Sequence, residues 1–155
     1  MVEYRKATAE DADVLARIRA DFLAEANSIA YEDEKTAVLE SNRRYMRQAL
    51  ADGSFAAWIA AEGEEIVATS GVSFYLLPPN KNNPSGKTAY ISNLFTYPRC
   101  RKKGIATRMF ALIVEEAAAQ GCVKVTLEAT EMGRPIYERF GFKVPEDAMS
   151  YYIVR

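Results

Sequence analysis

The stretch from Ile91 to Gln120, ISNLFTYPRCRKKGIATRMFALIVEEAAAQ, constrains the fold of this chain more than any other. Its first part is apolar and aromatic (Ile91, Leu94, Phe95, Tyr97) and stops at Pro98, whose missing N–H suits a strand end. Its last part sets Ile105, Met109, Leu112, Ile113 and Glu116 at helical spacing among alanines, which predicts an amphipathic helix. Between them lies Arg99-Cys100-Arg101-Lys102-Lys103-Gly104-Ile105-Ala106. A helix start offers unpaired N–H groups and the positive end of the dipole. Gly104 and Ala106 let a ligand approach the backbone, and four cationic side chains surround those amides. Strand, basic loop and helix together predict a site for a phosphorylated ligand.

The flanking sequence predicts a mixed sheet. Val2 to Lys6 reads as a first strand, and Thr8 with Asp11 as an approximate capping box for a helix with Leu15, Ile18 and Phe22 on its buried stripe. Glu25 to Glu34 reads as a polar loop that includes the acidic cluster Glu32-Asp33-Glu34. A second helix is expected from about Lys35 to Leu50, with Val38, Tyr45, Met46 and Ala49 inward and Gly53 as terminator. Ser54 to Glu62 and Ile66 to Leu76 read as strands around a Gly63-Glu64 turn, with Trp58 in the core. Pro78 to Gly86 is a loop on composition. Gly86-Lys87-Thr88 resembles half a P-loop, but Lys81 stands where the first glycine is required and a strand follows. Val123 to Thr130 alternates as a strand, a helix runs from Pro135 to Gly141, and Phe142–Val144 with Met149–Val154 is expected to close the sheet as a hairpin. The expected order is βαα, strands, βα, βα, ββ, with helices on both faces and one domain over 1–155.

Composition narrows the function. With 49% hydrophobic and 26% charged residues this is an ordinary soluble globular sequence, and a net charge of −1 argues against general nucleic-acid binding. No apolar run reaches spanning length and no signal peptide opens the chain, so no membrane role is expected. Cys100 and Cys122 are too few for a disulfide framework, and a reducing cytoplasm is the expected compartment. The absence of histidine excludes a His-based triad and a His-rich metal site, and no metal is expected. Proton transfer must then use carboxylates, Tyr, Lys, Cys or water.

Arg101-x-x-Gly104-x-Ala106, placed after a strand ending in Pro98, resembles the pyrophosphate loop of GNAT-type N-acetyltransferases, whose pattern is Gln/Arg-x-x-Gly-x-Gly/Ala. Tyr137 followed by Gly141-Phe142 is similar to the Tyr and Gly-Phe that the family carries on its fourth helix. Element order and lengths fit over nearly the whole chain. Lys102 departs from the pattern, since many members have Gly there. The resemblance implies an α/β (α+β) acyl-CoA N-acyltransferase fold with a mixed sheet of six to seven strands. It also implies acetyl-CoA as co-substrate, direct transfer without a metal, and a primary amine of a small molecule or a peptide N-terminus as acceptor. A homodimer is among the assemblies it allows. The alternative of another class is a non-catalytic acyl-CoA-binding or regulatory module.

By the same resemblance, Arg101, Lys102, Lys103, Gly104, Ile105, Ala106 and Thr107 would hold the pyrophosphate, and the backbone of Leu94, Phe95 and Thr96 the acetyl and pantetheine part. A backbone N–H there is an oxyanion donor. Thr130 stands where many relatives place a cofactor-binding Asn, although helix capping explains it equally well. Tyr137 is the expected general acid for the leaving thiolate, against a core role on its helix. Tyr90 and Ser92 stand where some relatives carry the general base. Glu128 is the nearest carboxylate in sequence, and a structural salt bridge is the expectation for it, with a water chain ending at Glu128, Asn93 or bulk solvent as the open alternative for the base.

Overall fold

A computed structural model describes residues 1–26 and 28–153 of the 155. Five strands form one sheet in sequence order: β1 Val2–Lys6, β2 Phe55–Glu62, β3 Glu65–Leu76, β4 Lys87–Thr96 and β5 Lys124–Leu127. All neighbours are antiparallel except β4 and β5, which run parallel. Four α-helices accompany them among the described residues: α1 Ala12–Glu25, α2 Glu32–Asp52, α3 Ile105–Ala119 and α4 Arg134–Phe140.

The period of two along β2 decides which helix packs where. Phe55, Ala57 and Ile59 join Leu15 and Ala16 of α1 and Met46 and Ala49 of α2 in one cluster. Ala56 packs with Phe110 and Ile113 of α3 and Tyr137 of α4, and Ala60 with Met109 and Leu112 of α3. The helices therefore cover both faces, as the order of elements predicts. Glu116, on the α3 stripe, pairs with Lys6 Nζ at 2.5 Å and so carries that stripe to the end of β1.

Three expectations need correction. The acidic cluster Glu32-Asp33-Glu34 is the first turn of α2, not loop. Negative charge is favoured there by the helix dipole, and Glu34 also accepts the Ala30 N–H at 2.9 Å. Tyr45 is 43% exposed instead of inward, its hydroxyl 2.8 Å from Ser73 Oγ.

The third concerns the sheet. It has five strands among the described residues, not six to seven, because Phe142–Val144 and Met149–Ile153 form no ladder. Val144, Met149, Tyr151, Tyr152 and Ile153 are all exposed, so no buried face sets a register for them. Val154, the last residue of the expected hairpin, lies outside the described residues. β5 is shorter than expected for a related reason. It pairs only with Thr88–Ile91 of β4, and past Ile91↔Leu127 the two strands separate.

Candidate functional site

The separation of β4 from β5 begins beside a bulge. Thr69 of β3 opposes Phe95 and Gly71 opposes Ser92, so two residues, Asn93 and Leu94, face the single Ser70. Such an insertion bends and twists a strand. Asn93 takes a φ of 62°, a left-handed conformation that Asn tolerates better than most residues. Thr69 Oγ1 fastens the bulge by donating to the Asn93 carbonyl at 3.0 Å.

After β4 the chain turns through a short 3₁₀ segment, Pro98–Cys100, and enters α3 through Gly104. Lys102 has a φ of 63° and Gly104 one of 79°. Two left-handed residues spaced by one ordinary residue turn successive amides to one side, the geometry of an anion-binding concavity. Gly104 accepts this freely; Lys102 does so at a steric cost, which is the physical meaning of its departure from the family pattern. A Cβ built on Gly104 meets nothing within 4 Å, so the space above the loop is open.

A cavity of about 950 Å³ opens over this loop. Leu94, Phe95, Thr96, Arg101, Lys102, Gly104, Ile105, Ala106, Thr107, Thr130 and Tyr137 all line it, whereas Lys103 is exposed and stands outside the lining. The Arg101 side chain is already engaged. Its Nε donates to the Thr96 carbonyl at 2.8 Å, its Nη2 to Glu25 Oε1 at 2.5 Å, and its guanidinium lies over the Phe95 ring. Arg101 thus ties the loop to the end of α1. Phe22, Met132, Gly133, Ile136 and Arg139 line the cavity as well and were not legible in the sequence.

Tyr97, at the end of β4, holds the same region to the first helix. Its hydroxyl donates to Asp21 Oδ2 at 3.0 Å, while Lys35 Nζ reaches Asp21 Oδ1 at 3.2 Å. Burial, then the bond to Asp21, pushes the Tyr97 phenol up to about 12.

Tyr137 is 8% exposed, its ring tilted against Phe110 at 5.1 Å. Burial raises its pKa, so the phenol keeps its proton at neutral pH. A Cβ on Gly133 would come within 2.6 Å of the Tyr137 hydroxyl and 2.8 Å of Cζ, so the absent side chain at 133 is what leaves room for the phenol. Thr130 Oγ1 accepts the Gly133 N–H at 3.1 Å and the Thr130 carbonyl accepts Arg134 N–H at 3.0 Å. The turn-forming reading of Thr130 therefore has direct contacts, and the residue also lines the cavity.

A second, smaller cavity of about 260 Å³ adjoins the first and shares Phe22, Ala26, Leu94, Thr130 and Tyr137 with it. Its other walls are Arg19 and Ser28 from the first helix and its following loop, Tyr90, Ser92 and Asn93 from β4, and Glu128 just past β5. Glu128 makes no ion pair among the described residues, contrary to the structural salt bridge expected of it. It is exposed, and its charge helps raise the Tyr90 phenol, after the larger effect of burial. Cys100 is buried in the first cavity's wall, with Arg99 Nη1 3.8 Å from its sulfur.

A parallel strand pair that parts past Leu127, a helix entrance with two left-handed residues and two cavities meeting at the buried Tyr137 make up the candidate site. The chain belongs to the acetyltransferase (GNAT) family, whose model matches residues 18–142. It is similar, at 33% identity and a TM-score of 0.90, to a predicted acetyltransferase from Clostridium acetobutylicum crystallised with acetyl-CoA, over 98% of this chain and 96% of that one. A GCN5-related N-acetyltransferase from Ralstonia eutropha JMP134 shows 31% identity and a TM-score of 0.88 over 99% of both chains. Glucosamine 6-phosphate N-acetyltransferase of Trypanosoma brucei brucei is 25% identical over 51% of this chain and 54% of that enzyme. The chain spans about half or less of the curated relatives it matches, 9% in one case and 54% in the other.

Among the described residues no group of three or more His, Cys, Asp or Glu side chains is arranged to hold a metal, and no helix is long and apolar enough to cross a membrane.

Proposed function

We propose that the protein transfers an acetyl group from acetyl-CoA directly to the primary amine of a small acceptor. The observation that carries this reading is the meeting of the two cavities at Tyr137, Leu94 and Thr130, where the strands part. The open left-handed cradle at Lys102–Gly104 and the 950 Å³ volume fit the pyrophosphate and the long handle of the cofactor. When bound, acetyl-CoA supplies an activated thioester carbonyl.

The chain's own residues would then do four things. The loop Arg101–Thr107 holds the phosphates by backbone amides at the start of α3, with Lys102 adding charge. Leu94, Phe95 and Thr96 line the approach of the pantetheine, and a backbone N–H on the bulge stabilises negative charge developing on the carbonyl oxygen. Tyr137 holds a proton at its phenol oxygen for the leaving thiolate, a transfer downhill from a phenol toward a thiol only when local order favours it. Glu128, the carboxylate of the smaller cavity, takes the amine's proton through water. Tyr90 is a poor base there, since burial and Glu128 both disfavour its anion.

Thiol release from acetyl-CoA across a panel of amines, run beside a direct titration of the cofactor, tests the reading. Turnover on at least one amine is expected. Tight cofactor binding with no turnover on any amine would move the chain to the rival reading of an acyl-CoA-binding regulatory module. A sedimentation measurement decides between monomer and homodimer, and expression with a fluorescent tag tests the cytoplasmic expectation.

A further inference from the structure

The smaller cavity contains a cation, Arg19, that pairs with no carboxylate among the described residues. Arg19 projects from α1 and is half-buried, and it forms no ion pair among the described residues. The phenols of Tyr90 and Tyr45 lie close enough to act on its charge, and Glu128 lines the same cavity without an ion pair among the described residues. Among the described residues the one hydrogen bond of Arg19 is from Nη1 to Asn93 Oδ1 at 3.2 Å. A guanidinium has five N–H donors, so most of its capacity is unused. A charge withdrawn from water without a partner is costly, and an arriving anion relieves that cost.

Asn93 supplies the second, independent observation. It is 3% exposed and lines the same cavity, yet its Nδ2 has no hydrogen-bond partner. The bond from Arg19 orients the amide, because only Oδ1 can accept from a guanidinium. A buried amide donor and a guanidinium with no ion pair among the described residues therefore stand side by side in one wall. Glu128 stands in another wall of the cavity.

We infer that this cavity takes an amine that also carries a carboxylate, an amino acid in the chemical sense, with the carboxylate held by Arg19 and Asn93. The inference rests on the acetyl-transfer reading for what happens to the amine, but not for what binds. Guanidinium and carboxylate match in a two-point fork, which sets the acceptor's orientation as well as its affinity. With the carboxylate so placed, the ammonium end is left toward Glu128. One cation and one carboxylate in the wall balance a zwitterion. A phosphomonoester carries nearly two negative charges at neutral pH and would leave an excess beside Glu128. A peptide N-terminus lacks the adjacent carboxylate, and a diamine would bring a second cation toward Arg19. A volume of about 260 Å³ also suits a molecule smaller than a typical drug.

Three measurements test this. The first is thiol release with the common amino acids, each beside its own carboxamide, with glucosamine 6-phosphate and with a short diamine. At least one amino acid is expected to exceed its carboxamide in kcat/KM by about 10-fold to 100-fold, the range for a charged hydrogen-bonded contact. The second is the same pair on Arg19→Met and Arg19→Lys, with a thermal melt to verify folding. The acid-to-amide ratio should fall toward one in Arg19→Met, chiefly through KM, and be partly kept in Arg19→Lys. A structural role alone would lower both substrates together and leave the ratio intact.

The third is calorimetric titration of the acid and the amide onto protein saturated with CoA, which needs no turnover. Binding of the acid that is lost in Arg19→Met upholds the carboxylate site even if no amine is acetylated; that result would sink the transfer reading alone. Equal affinity for acid and amide, an unchanged ratio in Arg19→Met, or a preference for the sugar phosphate or the diamine would overturn the inference.

Discussion

Replacing Tyr137 with Phe removes one oxygen from a ring whose surroundings should otherwise hold. The ring is packed against Phe110 at 5.1 Å and Phe142 at 6.4 Å, contacts made by carbon atoms that the substitution keeps. Removing a hydroxyl from a site of this kind should change stability by no more than about 1 kcal/mol, the net value of a single hydrogen bond. At this chain length that is a shift of roughly 2–4 °C in melting temperature. Acetyl-CoA affinity should change little, because the proposed phosphate contacts are on the α3 loop and not on α4. Turnover is where the loss belongs. A positioned acid contributes about 10²-fold at the low end of its range, or about 2.7 kcal/mol of barrier.

The loss should appear in kcat more than in KM, since the proton is needed at the transition state. The pH profile adds a signature. Burial holds the Tyr137 pKa above that of an ordinary phenol, so the acid stays protonated through neutral pH. Activity that depends on it is lost only as pH rises through that elevated value, and Tyr137→Phe should lack this alkaline limb. Steady-state kinetics, a melt and a pH profile on one variant suffice. If kcat stays within about twofold of the parent, a difference of only ~0.4 kcal/mol, Tyr137 is a core residue and the thiolate takes its proton from water.

Three other perturbations follow from the same geometry. Gly133→Ala should place a Cβ about 2.6 Å from the Tyr137 hydroxyl and displace the phenol. Turnover should fall nearly as far as in Tyr137→Phe, and a crystal structure with an unmoved Tyr137 would refute the reason. Lys102→Gly should stabilise the protein, because relief of left-handed strain worth about 1–2 kcal/mol exceeds the added unfolded-state freedom of glycine, about 0.4–1 kcal/mol. A melting temperature that falls would mean that the lysine side chain makes a contact outweighing the strain. Glu128→Gln should lower kcat by about 10²-fold with acetyl-CoA affinity unchanged; an unchanged kcat would leave Glu128 with only its electrostatic effect on Tyr90.

Local sequence chemistry determined much of this molecule. The apolar run ending at Pro98, the loop Arg101–Ala106 and the stripe on α3 are each set by residues within a few positions of one another, so strand, loop and helix were legible together. The same holds for β1, for the two-residue turn between β2 and β3, and for the glycines at 53 and 141 that end α2 and α4 in left-handed conformations. Closure of the sheet was not legible. The strand expected over Met149–Val154 needs a neighbour to cover one face, and among the described residues 149–153 all stay exposed.

The smaller cavity was equally hidden, because Arg19, Asn93 and Glu128 come from three elements far apart in the chain. Their meeting depends on the bulge at Asn93 and on the point where β4 and β5 part. The fate of Arg101 shows the same limit: the residue lines the larger cavity, but a bond to Glu25, 76 residues away, decides what its side chain does. Local propensity chooses the elements; only their packing decides which polar groups are left without a partner, and those are the groups a ligand meets.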